Sequence, residues 1–298
     1  MKARKLLLTM FLSLSAMPIS HATTLTWNEL SAEPMPLSAV RIAYGKEPLQ
    51  FGELRVPQGP GPFPVVVVVH GGCWLNSFDY QHITRLSQAF ADAGIAAWTI
   101  EYRRLGDPGG GWPGTFLDVA QGADHLRALA KKHRLDLKRV VALGHSAGGH
   151  LALWLASRDN LSKSSALFLK NPLQLAGVIP LAAISDLKTY SDGPKNSCNS
   201  VVAKLMGGEP DVVAARYADA SPIQRLPLKI PVRLIHGDLD SIVPLKQSED
   251  FVTAARSQDV QLTTVAGVGH FELVSVQSRT WRTVLAAVKE LTELKKQR

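Results

Sequence analysis

Short runs of consecutive apolar residues alternate along the chain with stretches whose apolar positions recur every three to four residues. The runs predict strands at Val40 to Ala43, Phe51 to Val56, Val65 to Val69, Ile95 to Ile100, Val140 to Leu143, Leu175 to Ala183, Val232 to Ile235 and Leu262 to Val265. The helical periodicity predicts helices near His82 to Ala93 (closed by Gly94), Phe116 to His133, Gly149 to Ser157, Leu245 to Ser257 and Thr280 to Leu294. Pro57 to Pro64 reads as a turn, and Asp186 to Pro222 as a long irregular segment. Strands that are apolar throughout are buried on both faces, so their interleaving with helices predicts an α/β fold: a mostly parallel central sheet with helices on both sides. In such a sheet, chemistry collects at the carboxyl ends of the strands.

No repeat or interdomain linker interrupts this pattern, and 298 residues suit one large domain. With 46% apolar and 19% charged residues, collagen, coiled coils and disordered chains are excluded. Residues 1–22 read as a cleaved export signal. Lys2, Arg4 and Lys5 precede an apolar stretch from Leu6 to Met17, and Ser20 and Ala22 are the small residues of a cleavage site. That stretch is broken by Ser13 and Ser15 and is too short for a stable membrane anchor. The expected mature domain is 23–298, periplasmic or extracellular. Removal of the signal's three basic residues lowers the formal charge from +8 to +5, and the remaining cations are scattered, so nucleic acid is not an expected partner. Export would place Cys73 and Cys198 in an oxidising compartment, where they could form one disulfide; two buried thiols are the alternative.

Three strand ends carry chemistry. Gly144-His145-Ser146-Ala147-Gly148-Gly149 lies directly between a strand and a helix. A serine on so tight a turn exposes its hydroxyl and aims a helix N-terminus at developing negative charge, and small flanking residues relieve the crowding. His70-Gly71-Gly72-Cys73-Trp74 follows Val65 to Val69; its glycines allow the main chain close to an oxyanion, with the N–H groups of Gly72, Cys73 and Ala147 as candidate donors. A serine also needs a histidine to take its proton and a carboxylate to hold that histidine. Two acids, Asp238 and Asp240, follow Val232 to Ile235; Asp238 is the nearer to the strand and suits a turn, and Asp240 is the preferred acid. Of nine histidines, only His270 combines a glycine-flanked loop with a position after the acid. The chain order is then Ser146, Asp240, His270.

On these residues, with Glu101-Tyr102-Arg103-Arg104 and Val243-Pro244, the chain from about Val40 to Leu294 resembles the α/β-hydrolase superfamily, and within it the esterase and arylformamidase-like group with an HGGxW oxyanion motif. The resemblance implies a Ser-Asp-His triad, an acyl-enzyme, no cofactor, and Gly71, Gly72, Cys73, Trp74 and Ala147 at the oxyanion or substrate side. It makes Tyr102 and Arg103 structural strand-end residues. Cys73 occupies the variable position of the motif, and a bridge to Cys198 would pin the oxyanion loop to Asp186 to Pro222. The expected substrate is a small carboxylic ester, with an amide as the alternative. A non-catalytic binding protein on the same fold is a further reading. So is metal-dependent hydrolysis through His236, Asp238 and Asp240, although no recognised metal-ligand spacing is present.

Overall fold

The computed structural model describes residues 24–37, 39–193 and 197–293. The export signal of residues 1–22 lies outside them. Eight strands form one sheet: β1 (Val40–Ala43), β2 (Phe51–Arg55), β3 (Phe63–Val69), β4 (Ala96–Ile100), β5 (Leu135–His145), β6 (Gly177–Leu181), β7 (Val232–Gly237) and β8 (Val260–Val265). Their order across the sheet is β1-β2-β4-β3-β5-β6-β7-β8, with β1 and β2 antiparallel to their neighbours and the other pairings parallel. This is the mostly parallel central sheet that the strand pattern predicts.

The helices are α1 (Trp27–Ala32), α2 (Thr84–Asp92), α3 (Gly114–Asp124), α4 (Leu126–His133), α5 (Ala147–Ser157), α6 (Leu187–Ser191), α7 (Val202–Met206), α8 (Ala214–Ala220), α9 (Lys246–Ala254) and α10 (Thr280–Thr292). The five valines of β3 show why the sheet needs cover on both faces. Val65, Val67 and Val69 join Phe116, Val119 and Leu151 of α3 and α5 in one core, whereas Val66 and Val68 join Leu86, Phe90 and Val288 of α2 and α10 in the other. All five are fully buried, each worth about 1.5 to 3 kcal/mol relative to exposure.

Three local expectations are corrected. The helix anticipated over Phe116 to His133 is two helices. At their junction the Gly122 carbonyl accepts the Trp98 indole N–H at 2.8 Å, and the Ala128 N–H closes a tighter turn on the His125 carbonyl at 2.9 Å. Asp186 to Pro222 is a series of short helices, α6, a 3-10 turn (Cys198–Val201), α7 and α8, each too short to show a helical period. The turn anticipated to Pro64 ends earlier, because Phe63 already pairs with Leu135. Helix α1 has no counterpart among the predicted elements, although its start is written locally: the Thr26 side chain accepts the Glu29 N–H at 3.3 Å while the Glu29 carboxylate accepts the Thr26 N–H at 2.8 Å.

The pairing of β3 with β5 positions the site. Val69 lies beside Gly144, so the two strands end level and the loop after one meets the turn after the other. Trp98, fully buried in β4, fills the same core from the edge side. Replacing Trp98 with Ala should lower unfolding stability by about 3 to 5 kcal/mol, measured by urea unfolding, through the cavity and the loss of the indole bond to Gly122.

Candidate active site

Ser146 occupies the turn between β5 and α5 with φ 57° and ψ −122°, a strained conformation for a residue with a side chain. Its neighbours explain why the turn holds. A Cβ at Gly144 would strike the Gly148 carbonyl, and one at Gly148 would strike the carbonyls of Val69 and His70. At Gly149 an added Cβ would come within 2.8 Å of Ala183 Cβ. The Ser146 N–H donates to the Leu181 carbonyl at 2.8 Å, anchoring the turn to the end of β6.

Asp240 lies in the loop after β7, its side chain fully buried. One carboxylate oxygen accepts the N–H groups of Ile242 and Val243 at 2.8 and 2.9 Å. The other is 2.6 Å from His270 Nδ1 and 3.4 Å from His236 Nε2. Burial opposes ionisation here, but the hydrogen bonds from His236 and His270 outweigh it and hold the carboxyl far below the usual carboxylate range. The aspartate is therefore an acceptor, so the Nδ1 proton of His270 faces the carboxylate and, in the neutral ring, Nε2 carries the lone pair. Among the described residues neither His270 Nε2 nor the Ser146 hydroxyl has a hydrogen-bond partner, and both residues line one cavity of about 290 Å³. Asp238 sits apart, accepting the Gly267 N–H at 2.6 Å as a turn residue.

The loop after β3 runs through three successive positive φ values, 102° at Gly72, 54° at Cys73 and 56° at Trp74. This curl turns the chain back over Ser146. A Cβ at Gly71 would come within 2.7 Å of the His145 carbonyl oxygen, so only glycine allows the two loops so close. The N–H groups of Gly72, Cys73 and Ala147 donate to no acceptor among the described residues, and the last of these opens α5. Gly72 and Cys73 line the cavity. Gly71 and Trp74 do not. Trp74 is fully buried, its indole donating to His150 Nδ1 at 3.2 Å while His150 Nε2 bonds the Ala220 carbonyl at 2.9 Å. Cys73 and Cys198 lie at disulfide distance, their Cα atoms 4.8 Å apart, and both sulfur-bearing residues face the cavity.

Behind the loop, His70 Nε2 meets the Glu101 carboxylate at 2.9 Å and its ring stacks on Tyr102 at 4.3 Å. The Tyr102 hydroxyl donates to the His70 carbonyl at 2.8 Å, and Arg104 pairs with Glu101 at 3.4 Å. Arg103 forks onto Asp118 with two bonds of 2.7 Å. Tyr102 and Arg103 are thus structural. The rest of the cavity wall is His82, His145 and four apolar side chains, Trp27, Phe78, Ile242 and Phe271. None of these four was singled out as a candidate from the sequence, since isolated apolar residues carry no local signal of what they will face.

His145 Nε2 bonds the His270 carbonyl at 3.0 Å, tying the histidine loop to the serine turn. Burial pushes His145 well below the usual imidazole range, and its closeness to the titratable rings of His270 and His82 adds to the shift. Burial also lowers His82 to about 3 and His150 to about 4. In the unfolded chain a histidine titrates near about 6.5. Below that pH the unfolded state takes up protons that the folded state excludes, so stability declines until the folded values are reached. Urea unfolding should show its midpoint falling from about pH 7.5 to about pH 5, His150 alone contributing about 2 kcal/mol of the loss at pH 5. A flat midpoint would contradict the neutral burial of these rings.

The family profile described as BD-FAE matches residues 54–254, more than half of the chain. Esterase LipC of Mycobacterium tuberculosis is 29% identical over 272 residues, covering 87% of this chain and 66% of LipC. LipM of the same organism is 24% identical over 240 residues, covering 78% of this chain and 55% of LipM. The chain thus spans just over half to about two thirds of these relatives. Among solved structures, a truncated carbohydrate esterase from gut microbiota superposes with a TM-score of 0.73 at 19% identity, covering 88% of this chain and 98% of that one, a likeness of fold.

Proposed function

Since the chain belongs to the BD-FAE family, we propose that it hydrolyses carboxylic esters through Ser146, His270 and Asp240. The observation that carries this reading is the 2.6 Å bond between Asp240 and His270 Nδ1, which leaves Nε2 as a base lining the same cavity as the hydroxyl of a strained serine. In this reading Nε2 takes the hydroxyl proton as Ser146 Oγ attacks the ester carbonyl. The N–H groups of Cys73 and Ala147, with Gly72 beside them, stabilise the oxyanion. Collapse of the tetrahedral adduct expels the alcohol, which takes its proton from His270. Water, activated by the same nitrogen, then frees the acid from Ser146. Asp240 holds the imidazole in the productive tautomer and balances its charge.

The esterase names of the sequence relatives and the apolar cavity support an ester over an amide as substrate. We further propose that residues 1–22 are removed on export near Ala22 and that 23–298 works as one domain in the periplasm or outside the cell. The pairing of Cys73 with Cys198 fits an oxidising compartment.

Ser146→Ala should lower kcat by about a thousandfold or more with the thermal transition unchanged. A fluorophosphonate should label the parent and not the variant. Full activity in folded Ser146→Ala would end the assignment, and faster turnover of N-formylkynurenine or an aminoacyl anilide than of p-nitrophenyl esters would move it to amides. Asp240→Asn should retain the fold yet lose about four orders of magnitude in kcat, because an amide partner no longer dictates which imidazole nitrogen is protonated.

A further inference from the structure

We propose that the indole of Trp27 closes the acyl end of the cavity beside Ser146 and thereby limits the protein to short acyl chains, an inference that rests on the ester-hydrolase reading above. The cavity of about 290 Å³ that Ser146 and His270 line does not end against the core. A second cavity of about 240 Å³ lies beside it, bordered by Met35 and by the more polar Ser31, Ser77, Asp79, Gln81 and Arg85. Trp27, Phe78 and His82 line both cavities, so these three rings are the partition between them. They pack edge to face, with Trp27 centred 5.0 Å from Phe78 and 5.2 Å from His82.

Of the three, Trp27 is the ring whose size can change with least disturbance of the loop after β3, although it also packs on Phe271 beside His270, ring centres 5.8 Å apart. Phe78 packs directly on Gly72 of the oxyanion loop, and His82 is buried and bonded through Nδ1 to the Asp79 carbonyl at 2.7 Å. Trp27 stands on α1, outside the sheet. That helix is fastened independently of the indole: Leu30 is fully buried, the Leu25 N–H donates to Glu272 at 2.7 Å, and Arg85 Nε donates to the Glu33 carbonyl at 3.0 Å. Trp27 is therefore a fixed wall, and a smaller residue there opens a passage instead of releasing a lid.

The acyl group is the part of the substrate that must fit. It stays on Ser146 through both halves of the reaction, while the alcohol leaves and water enters, so the apolar wall of Trp27 and Phe78 suits the group that remains. With the wall removed, a longer chain gains burial of each further methylene, worth up to about fourfold in kcat/KM apiece.

The test is kcat/KM for p-nitrophenyl acetate, butyrate, hexanoate and octanoate, and for acetate esters of butanol and octanol, with the parent, Trp27→Ala, Trp27→Leu and Trp27→Phe. The parent should favour acetate and butyrate. Trp27→Ala should raise the octanoate to butyrate ratio by about tenfold or more, with Trp27→Leu intermediate, Trp27→Phe close to the parent, and the alcohol series unmoved. Fluorophosphonate labelling of each variant shows that the site has assembled; should Trp27→Ala not fold, Trp27→Leu decides. An unchanged ratio in labelled variants overturns the partition and leaves the ester reading standing, as does a response to alcohol length alone. A parent that hydrolyses none of these esters overturns both.

Discussion

The structure around the candidate site depends on one steric constraint, the φ of 57° at Ser146. A side chain in that region crowds its own backbone, and the conformation persists only where the surroundings allow nothing else. Here they are close-packed main chain. Gly148 lies against the carbonyls ending β3, Gly144 against the carbonyl of Gly148, and Gly149 against Ala183 at the end of β6. The level ends of β3 and β5 follow from their register, Val69 beside Gly144, and that register is held by valines buried on both faces. The strain at one residue is thus supported by the core of the whole sheet.

A second layer of polar contacts converts this geometry into a site. Buried polar groups are costly unless paired, and those behind the two loops are paired with one another. Glu101 gathers His70, Arg104 and the Tyr102 N–H, so the chain leaving β3 is held to the chain leaving β4. His236 bonds Ser248 and the Val243 carbonyl and approaches Asp240, and His145 bonds the carbonyl of His270. Burial keeps His145 and His150 neutral, so they serve as fixed hydrogen-bonding parts and not as competing bases. Cys73 and Cys198, at disulfide distance, bring the loop after β3 against the short helices that follow β6.

Where residues sit close to the strand that presents them, the sequence was readable. Gly144 to Gly149 announces its turn because the crowding is local and only small residues meet it. His70 to Cys73 is readable for the same reason. Asp240 over Asp238 follows from distance along the loop, since the nearer acid closes the turn on Gly267. Trp74 was placed at the substrate side by its motif and lies instead in the core, because the positive φ values of the loop turn its indole inward to His150. Trp27, Phe78 and Phe271 come from three separate segments and meet only at the cavity.

The sequence by itself determined the alternation of strand and helix, the fold class and the residue types able to supply a nucleophile, a base and an acid. Each of these depends on hydrophobic period or on crowding within a few residues of the chain. Only the tertiary structure decided that the long helix breaks at His125, that α1 exists as a wall of the cavity, and which tautomer His270 adopts. Those outcomes depend on partners far away in sequence: the Trp98 indole on the Gly122 carbonyl, Leu30 in the core under α2, and the Asp240 carboxylate on Nδ1. A hydrogen bond or a packed ring of that kind has no period and leaves no local trace, so it becomes visible only when the chain has closed on itself.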